Sequence, residues 1–388
     1  MIKKLTLYAS LYMLWIPLIS GCEESILKVE MLAYDPVSDQ MVYKINTVET
    51  LDDVPTLSGR ATRIRGGISI DISGDKVTVN RAGTPVAFNS VKIKGVHYPA
   101  DYDSLAMISI YYNIEQAMLF FENLGMDTTT MGKLDTWYWA DVNIIAPTNS
   151  ETDEAILNNA LFLAVNGDNR GFYVMPFDTT RIDGPDVPLS MNPGVLTHEY
   201  AHAVFQYLVL DRLPAHIQYP SVDSPFYINA NYRMALNEGI ADVFAVARTG
   251  DPDFMVTSIK STMIARNAES EIVYTDWMDR NAAGYTYYPF DPYQIGAFIS
   301  SIVYEIARQI AGIPDGNDDV PADAIRFRIA KWTYDSLQRL GEENLPDFVP
   351  AHFFSQFVAQ MSKEQQLVAC AVLAERFMPH YSEVEGCQ

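Results

Sequence analysis

Two histidines four residues apart are the first feature of this sequence that could support chemistry. His198 and His202 flank Glu199 in an HExxH pattern. Asn192 and Pro193 precede the pattern and suit the N-cap and first position of a helix, so we predict that it lies in a helix. Residues four apart project from one helix face, where two imidazoles could bind one metal ion. Glu199, beside them, could take a proton from a water molecule.

A third ligand is needed, because a catalytic zinc ion usually has three protein ligands and one open position. Metzincins would have a histidine at position 208, but this chain has Leu208. Instead, Glu238 and Asp242 lie four residues apart in a second helical pattern. Glu238 could complete a His2Glu zinc site. Asp242 could accept the outer N–H of a ligating histidine and thereby fix its orientation.

The two patterns together, HExxH and an NExxxD that begins at Asn237, resemble the gluzincins, and in particular the thermolysin-like metallopeptidases. Weaker similarity is found at residues 121–125, 159–162 and 291–297. The resemblance implies a zinc-dependent endopeptidase with Glu199 as general base. It also implies that Asn159 and Ala160 belong to an edge strand that pairs with a peptide or protein substrate.

One position departs from the family's pattern. Tyr293 stands where the family usually has a histidine that donates to the transition-state oxyanion. A phenol can also donate a hydrogen bond, so we predict that Tyr293 has this catalytic role. Other candidate donors lie in the loop between the motifs: Tyr219, Tyr227, Tyr232 and His216. Two alternatives stay open: a zinc-stabilised cell-surface binding protein that has lost catalysis, and a lipoprotein with a chance motif.

The N-terminal residues have the pattern of an export signal. Lys3 and Lys4 precede an apolar stretch at residues 5–19, which is short for a membrane span. The residues at 19–22 resemble a bacterial lipobox, which implies cleavage before Cys22 and lipid on this cysteine. We therefore predict a lipid-anchored protein of the cell envelope with the membrane as a partner. An ordinary cleaved signal peptide and an uncleaved anchor are the alternatives.

Charge and cysteine content agree with an exported protein. The chain has 27 Lys and Arg residues against 49 Asp and Glu residues, a formal net charge of -22, so we do not expect a nucleic-acid partner. With lipid on Cys22, an oxidising compartment would favour a disulfide between Cys370 and Cys387; two free thiols are the alternative. The acidic run at residues 315–319 lacks the full spacing of a calcium-binding loop, and we interpret it as a solvated loop.

Residue patterns along the chain predict an α+β, zincin-like fold. Period-two apolar residues separated by turn signals predict a β-meander over residues 62–94. A helix at 103–124 and strands at 142–146, 161–165 and 172–177 are predicted next. Helical patterns then predominate, at residues 193–210, 234–248, 294–311, 322–340 and 351–377.

These patterns divide the chain into four parts. Residues 1–21 are the predicted lipoprotein signal peptide, and residues 22–60 a tether with an irregular start. Residues 61–205 are predicted as an α/β N-terminal peptidase subdomain that includes the HExxH helix. Residues 206–388 are predicted as a helical C-terminal subdomain.

Overall fold

A computed structural model gives the positions of most of the chain. The structure describes residues 27–35, 40–73, 76–144, 159–164, 170–176, 187–218, 220–221, 223–256, 258, 266–284, 290–313 and 319–388. The predicted signal peptide, Cys22, Tyr219 and all but the last residue of the acidic run at 315–319 lie outside the described residues.

The fold is of the mixed α+β class, as the sequence predicts, with sheets in the N-terminal half and helices in the C-terminal half. Its strands, within the described residues, are β1 (Leu27–Asp35), β2 (Gln40–Val48), β3 (Leu51–Asp53), β4 (Ser58–Gly59), β5 (Arg63–Gly66), β6 (Ser69–Ser73), β7 (Lys76–Arg81), β8 (Thr84–Pro85), β9 (Ser90–Ile93), β10 (Val96–Pro99), β11 (Asp135–Tyr138), β12 (Asp141–Ile144), β13 (Ala160–Leu163) and β14 (Gly171–Val174).

These strands form three sheets in the described part of the chain. A four-stranded sheet has the order β2-β1-β10-β9, and a three-stranded sheet has the order β12-β6-β7. The largest sheet has the order β13-β14-β11-β5-β4-β3, with β8 paired to β5. β13 is antiparallel to β14 and stands at the end of this order, so it is an edge strand.

The helices of the described residues pack in a series that leads from the four-stranded sheet to the C-terminus. They are α1 (Tyr102–Asn123), α2 (Pro193–Leu208), α3 (Ala215–Gln218), α4 (Tyr227–Thr249), α5 (Asp276–Ala282), α6 (Pro292–Ala311), α7 (Asp323–Glu343), α8 (Pro350–Val358) and α9 (Lys363–Arg376). α1 contacts β1 and α2, α2 contacts α4, and α4 contacts α6. None of these helices has the length and hydropathy that a bilayer span requires.

The region after the predicted signal peptide differs from its prediction. Residues 27–59, predicted as a tether with an irregular start, contain β1 to β4. Leu27, Val29 and Met31 are buried while Lys28 between them is exposed, which is the period-two pattern of a half-buried strand. β1 pairs with β2 along its whole length, and this pairing stabilises both strands.

Two further predictions were wrong in detail. Residues 62–94 form strands but not a meander, because β5 and β6 pair in parallel with β11 and β12, which follow α1 in the chain. The helix predicted at 351–377 is two helices. The side chain of Ser362 accepts a hydrogen bond from Gln365 N and starts α9 as its N-cap.

The two halves share one hydrophobic core, so the predicted subdomains are not separated in packing. Val29, Tyr200, Phe298 and Phe377 all belong to the same cluster of buried side chains. The boundary predicted between residues 205 and 206 falls inside α2, whose contact with α4 joins the halves. At the C-terminus a disulfide joins Cys370 of α9 to Cys387, with the Cα atoms 5.3 Å apart.

Candidate metal centre

Helix α2 carries both histidines of the HExxH pattern on the side that faces the protein interior. The helix begins at Pro193, and Asn192 Oδ1 accepts hydrogen bonds from two backbone N–H groups of the first turn, as predicted for the N-cap. Asn192 Nδ2 also donates to the backbone oxygen of Phe254, which ties the start of the helix to its surroundings. His198 and His202 follow one turn apart, and their side chains are 3% and 11% exposed.

Helix α4 brings Glu238 to these two histidines. One ligand atom from each of His198, His202 and Glu238 lies within 4.8 Å of the other two. The two Nε2 atoms are 2.9 Å apart, and the Glu238 oxygens lie 3.5 Å from His198 Nε2 and 3.8 Å from His202 Nε2. Tetrahedral coordination with bonds of about 2.0–2.1 Å would separate ligand atoms by about 3.3 Å. The three side chains therefore fit a metal ion and could hold one.

The outer nitrogens of both imidazoles have partners on α4. His202 Nδ1 is 2.9 Å from Asn237 Oδ1, so a hydrogen on Nδ1 leaves the Nε2 lone pair for a metal. His198 Nδ1 is 3.0 Å from Asp242 Oδ1, a charge contact rather than a well-aligned hydrogen bond. The sequence predicts such a role for Asp242 but not for Asn237, although Asn237 begins the NExxxD pattern.

Arg266 is a charged residue of the site that the sequence analysis did not identify. It is 7% exposed, and its guanidinium donates to both oxygens of Asp242 and to Oε2 of Glu238 at 2.9–3.0 Å. Three carboxylates close together in the protein interior, those of Glu199, Glu238 and Asp242, require a compensating positive charge. This requirement could have indicated that a buried basic side chain belongs to the site. The sequence does not say which arginine supplies that charge.

The surroundings shift the pKa values of the two histidines in opposite directions. Burial and the nearby Arg266 lower the pKa of His198, but Asp242 and Glu238 outweigh them and raise it to about 9. Burial and the charge on His198 lower the pKa of His202 to about 4, against the opposing effect of Glu238. Burial raises the pKa of Glu238, but His202, His198 and Arg266 bring it well below its usual range. In the metal-free protein, His198 is therefore protonated and His202 neutral at neutral pH, so the two imidazoles together carry one positive charge.

Glu199 lies beside the ligand group, at the free edge of the largest sheet. Its Oε2 accepts a hydrogen bond of 2.6 Å from the backbone N–H of Phe162 on β13. Burial raises its pKa to about 7, with His198 opposing and Glu238 adding to the shift. A carboxyl with a pKa near neutrality is suited to accept and release a proton during a reaction.

Asn159 and Ala160 lie at the start of the same edge strand. The Asn159 side chain accepts a hydrogen bond from Ala160 N, and its backbone oxygen accepts one from Met175 N. Phe162, two residues further along, is the β13 residue that reaches Glu199. The backbone N–H of Phe162 is therefore a contact with the site that the sequence analysis did not anticipate.

Tyr293 stands at the start of α6 and faces the same group of charges. Its ring is 46% exposed, and the Arg266 guanidinium carbon lies 4.8 Å from the ring centre. Burial, and then the charge of Glu238, raise the pKa of Tyr293 to about 12, so the phenol keeps its proton at neutral pH. A protonated phenol at the rim of the site can donate a hydrogen bond.

The other candidate donors differ in their availability. The Tyr232 hydroxyl donates to Asp279 Oδ1 at 2.6 Å and is buried, so it is occupied away from the ligand group. The Tyr227 ring packs beside Gly284. His216 is exposed on α3, with its ring 6.1 Å from that of Phe226.

The fold and the site together define an α+β protein with a His2Glu group that could hold a metal ion. No model of a known protein family matches the chain, and no curated protein matches it either. The assignment of function therefore depends on the chemistry of the site.

Proposed function

We propose that this protein is a zinc-dependent endopeptidase of the gluzincin type, held at the cell envelope by lipid on Cys22. The observation that supports it most directly is the convergence of His198, His202 and Glu238 within 4.8 Å. Two imidazoles and one carboxylate are the ligand set typical of catalytic zinc sites in peptidases, and they leave a position for solvent or substrate. A buried carboxyl, Glu199, stands next to the group, where a hydrolase needs its base.

The roles of the side chains follow from their positions. When bound, zinc acts as a Lewis acid and makes water a stronger acid. Glu199 accepts the proton of the attacking water on its carboxylate and passes it to the nitrogen of the leaving amine. The Tyr293 hydroxyl donates a hydrogen bond to the carbonyl oxygen as negative charge develops there. Asn237 and Asp242 hold the imidazoles in orientation from behind.

The edge of β13 supplies the surface for substrate in this proposal. An extended peptide that pairs with β13 would lie along the edge that faces Glu199. Phe162 N would be available to the incoming peptide if Glu199 Oε2 accepts a hydrogen bond from the attacking water in its place. A substrate held in this way is an unfolded or exposed segment, because it must be extended to pair with the strand.

Metal analysis combined with peptide cleavage tests the proposal. We expect about one zinc per purified chain and cleavage of a mixed peptide library that a chelator abolishes. In Glu199→Gln, zinc content should stay the same while cleavage falls by about 10²–10⁴-fold, because the ligands remain and the base is lost. Glu305→Gln, on α6 and outside the site, is the matched control and should behave as the parent.

The possible outcomes separate the alternatives. A chain purified without zinc and unable to bind it would overturn the proposal and favour a chance motif. Bound zinc without any cleavage would identify a zinc-stabilised binding protein. Undiminished cleavage by Glu199→Gln with zinc retained would refute the assignment of the base.

A further inference from the structure

Trp139 combines a backbone conformation that suits glycine with a side chain that is half exposed. It lies between β11 and β12, and its φ is 56°. A residue with a bulky side chain rarely adopts this left-handed conformation, because its Cβ comes too close to the carbonyl oxygen. Burial compensates for this cost only in part, since the residue is 51% exposed. Such strained residues are typical of functional sites.

The neighbouring strands make the same kink with a glycine. β5 and β6 pair in parallel with β11 and β12, and both chain segments pass from one sheet to another at the same level. In the first segment the residue at the kink is Gly67, with a φ of 71°. Its backbone N–H donates to the oxygen of Tyr138, which places Gly67 beside Trp139. Glycine adopts this conformation at little cost, so the kink itself does not require a tryptophan.

The side chain of Trp139 belongs to a connected group of aromatic and acidic residues. Its ring centre is 6.2 Å from that of Tyr138, whose hydroxyl donates to Asp103 Oδ1 at 2.8 Å. Burial raises the pKa of Tyr138 well above its usual range; the bond to Asp103 adds to the rise, and the Trp139 side chain opposes it. Tyr102, next to Asp103 at the start of α1, is 47% exposed. Trp139, Tyr102 and Asp103 are called the aromatic site below.

The charge around the aromatic site is negative. Three exposed acidic side chains lie within two residues of its rings: Asp101, Asp103 and Asp141. One basic side chain, Arg81, contacts the kink by donating to the backbone oxygen of Gly67. Three negative groups and one positive group give a formal charge of -2. In the described part of the chain, the hydrogen-bond partners of Asp101 and Asp103 are neutral groups.

We propose that the aromatic site binds an arginine side chain of a peptide or protein. A guanidinium stacks on the exposed face of an indole, the ring that attracts cations most strongly. Its N–H groups need acceptors, and Asp103 has lone pairs left beside the one hydrogen bond that it accepts from Tyr138. A quaternary ammonium has no N–H to donate, so this carboxylate favours arginine. The formal net charge of the chain, -22, attracts a basic segment over a longer range.

The aromatic site is separate from the metal centre but lies on the same sheet as the edge strand. Tyr138 pairs with Val174, and Val174 pairs with Ala160 of β13. Two strand spacings, about 10 Å, therefore separate the backbone of β11 from that of the edge strand. Binding of an arginine here needs neither metal nor catalysis, so it can be tested apart from the proposed peptidase activity.

Peptide binding to the full chain tests the proposal, with a chelator present to prevent cleavage. The probes are a fluorescein-labelled pentapeptide with one arginine among glycines and the same peptide with glutamine instead. Fluorescence anisotropy gives both affinities. We expect the parent to bind the arginine peptide about tenfold more tightly than the glutamine peptide. Trp139→Gly should reduce this preference by about fivefold, because the ring is lost while the net charge of the protein stays the same.

Three further variants separate the ring from the backbone and from the charge. Asn344→Gly puts glycine at another exposed left-handed residue, the C-cap of α7, and should keep the preference for arginine. Asp103→Asn should lower the preference by about two- to fivefold with both rings in place. Trp139→Asn also tolerates the left-handed backbone, and it repeats the test if Trp139→Gly does not fold.

Any of three results would overturn the proposal. The first is a parent protein that binds the two peptides equally. The second is a preference for arginine that survives loss of the tryptophan side chain in a folded variant. The third is displacement of the arginine peptide by maltohexaose, a neutral sugar, which would identify a carbohydrate as the occupant of the rings.

Discussion

Gly239 on α4 and Gly296 on α6 approach so closely that neither helix has room for a side chain at the contact. A Cβ at Gly239 would lie 2.5 Å from the backbone oxygen of Gly296, and a Cβ at Gly296 would lie 2.9 Å from the Cβ of Glu238. Contacts this short require the backbone to move. The pair of glycines therefore allows α6 to pack directly against the turn of α4 that carries Glu238.

Gly296→Ala is predicted to destabilise the protein, contrary to helix propensity. In a helix interior alanine is favoured over glycine by about 1 kcal/mol, so an uncrowded site would gain stability. Here we expect the free energy of unfolding to fall by about 1–3 kcal/mol because of overpacking. Metal affinity should fall as well, because the displaced turn carries Glu238. Urea unfolding and metal titration measure both effects, and a more stable variant would contradict the close contact.

Arg266→Met is predicted to make stability strongly metal-dependent. Without the guanidinium, Asp242 and Glu238 are buried carboxylates without their cation, which costs about 3–5 kcal/mol in the metal-free protein. A bound divalent ion restores positive charge, so the loss should be much smaller with zinc than with a chelator. Unfolding in urea under the two conditions gives the comparison.

Arg376→Met is the control for this prediction. Arg376 is also buried, but it donates to the backbone oxygens of Ser270 and Ile272 and to a serine hydroxyl, and not to the metal ligands. Its replacement should destabilise the protein equally with zinc and with a chelator. Equal losses for Arg266→Met under the two conditions would show that Arg266 does not compensate the charge of the metal ligands.

The candidate ligands on α2 and α4 could be predicted from the sequence because helical periodicity puts residues four apart on one face. Residues four apart share a face whatever the tertiary structure, so the two patterns predict one site once the helices meet. No such local rule predicts the position of Arg266, which itself lies outside the helices and strands of the described residues. Its contacts with Asp242 and Glu238 depend on tertiary packing alone.

The fold class followed from residue patterns, but strand pairing did not. Period-two patterns locate β5 and β6, yet their partners β11 and β12 lie about 70 residues later, beyond α1. Nothing in a local pattern distinguishes such parallel pairing from a hairpin. For the same reason, the sequence predicts a tether at 22–60, where the structure has β1. The antiparallel partner β2 and the parallel partner β10 complete the burial of β1.

Metal affinity is predicted to rise with pH. His198 has a pKa of about 9 in the metal-free protein, so at neutral pH it must lose a proton before Nε2 can bind a metal. We expect the apparent affinity to increase about tenfold per pH unit between about pH 7 and 9, with release of about one proton. Calorimetry in buffers of different ionisation enthalpy counts that proton, and a pH-independent affinity would contradict the assignment.

Asp242→Asn is predicted to change both the metal affinity and its dependence on pH. Asp242 is one of the groups that raise the pKa of His198, so the neutral amide should make the pH dependence less steep. Loss of a carboxylate behind a ligating imidazole also weakens metal binding, by about 10–100-fold. If affinity and pH dependence both stay as in the parent, Asp242 does not position His198.

Tyr293→Phe is predicted to lower kcat and leave KM nearly unchanged. The hydroxyl would act on charge that develops only in the transition state, and loss of such a donor costs about 10²–10³-fold in kcat. Zinc content should not change. Tyr227→Phe removes a hydroxyl that packs beside Gly284 and serves as control. A large effect of the control, with none at position 293, would move the donor to Tyr227.

A second charged network, around Asp279, holds the C-terminal segment. Its oxygens accept hydrogen bonds from Tyr232 and Tyr274 and contact His380 Nε2 at 3.0 Å, while His380 Nδ1 lies 3.0 Å from Glu383. The hydrogen bond with Asp279 outweighs partial burial and, with Glu383, raises the pKa of His380 to about 9. The protonated imidazole therefore stabilises the folded state.

Stability is predicted to fall as His380 loses its proton. The folded pKa of about 9 lies above the usual value of 6.5, so the contribution is complete below pH 6.5 and disappears as pH rises through 9. Partial exposure limits it to about 1 kcal/mol. His380→Gln should therefore lower the free energy of unfolding at about pH 6 and match the parent near pH 10. His216→Gln, at an exposed histidine on α3, should match the parent at both pH values. A loss for His380→Gln that is equal at both would mean that the imidazole acts by packing and not by charge.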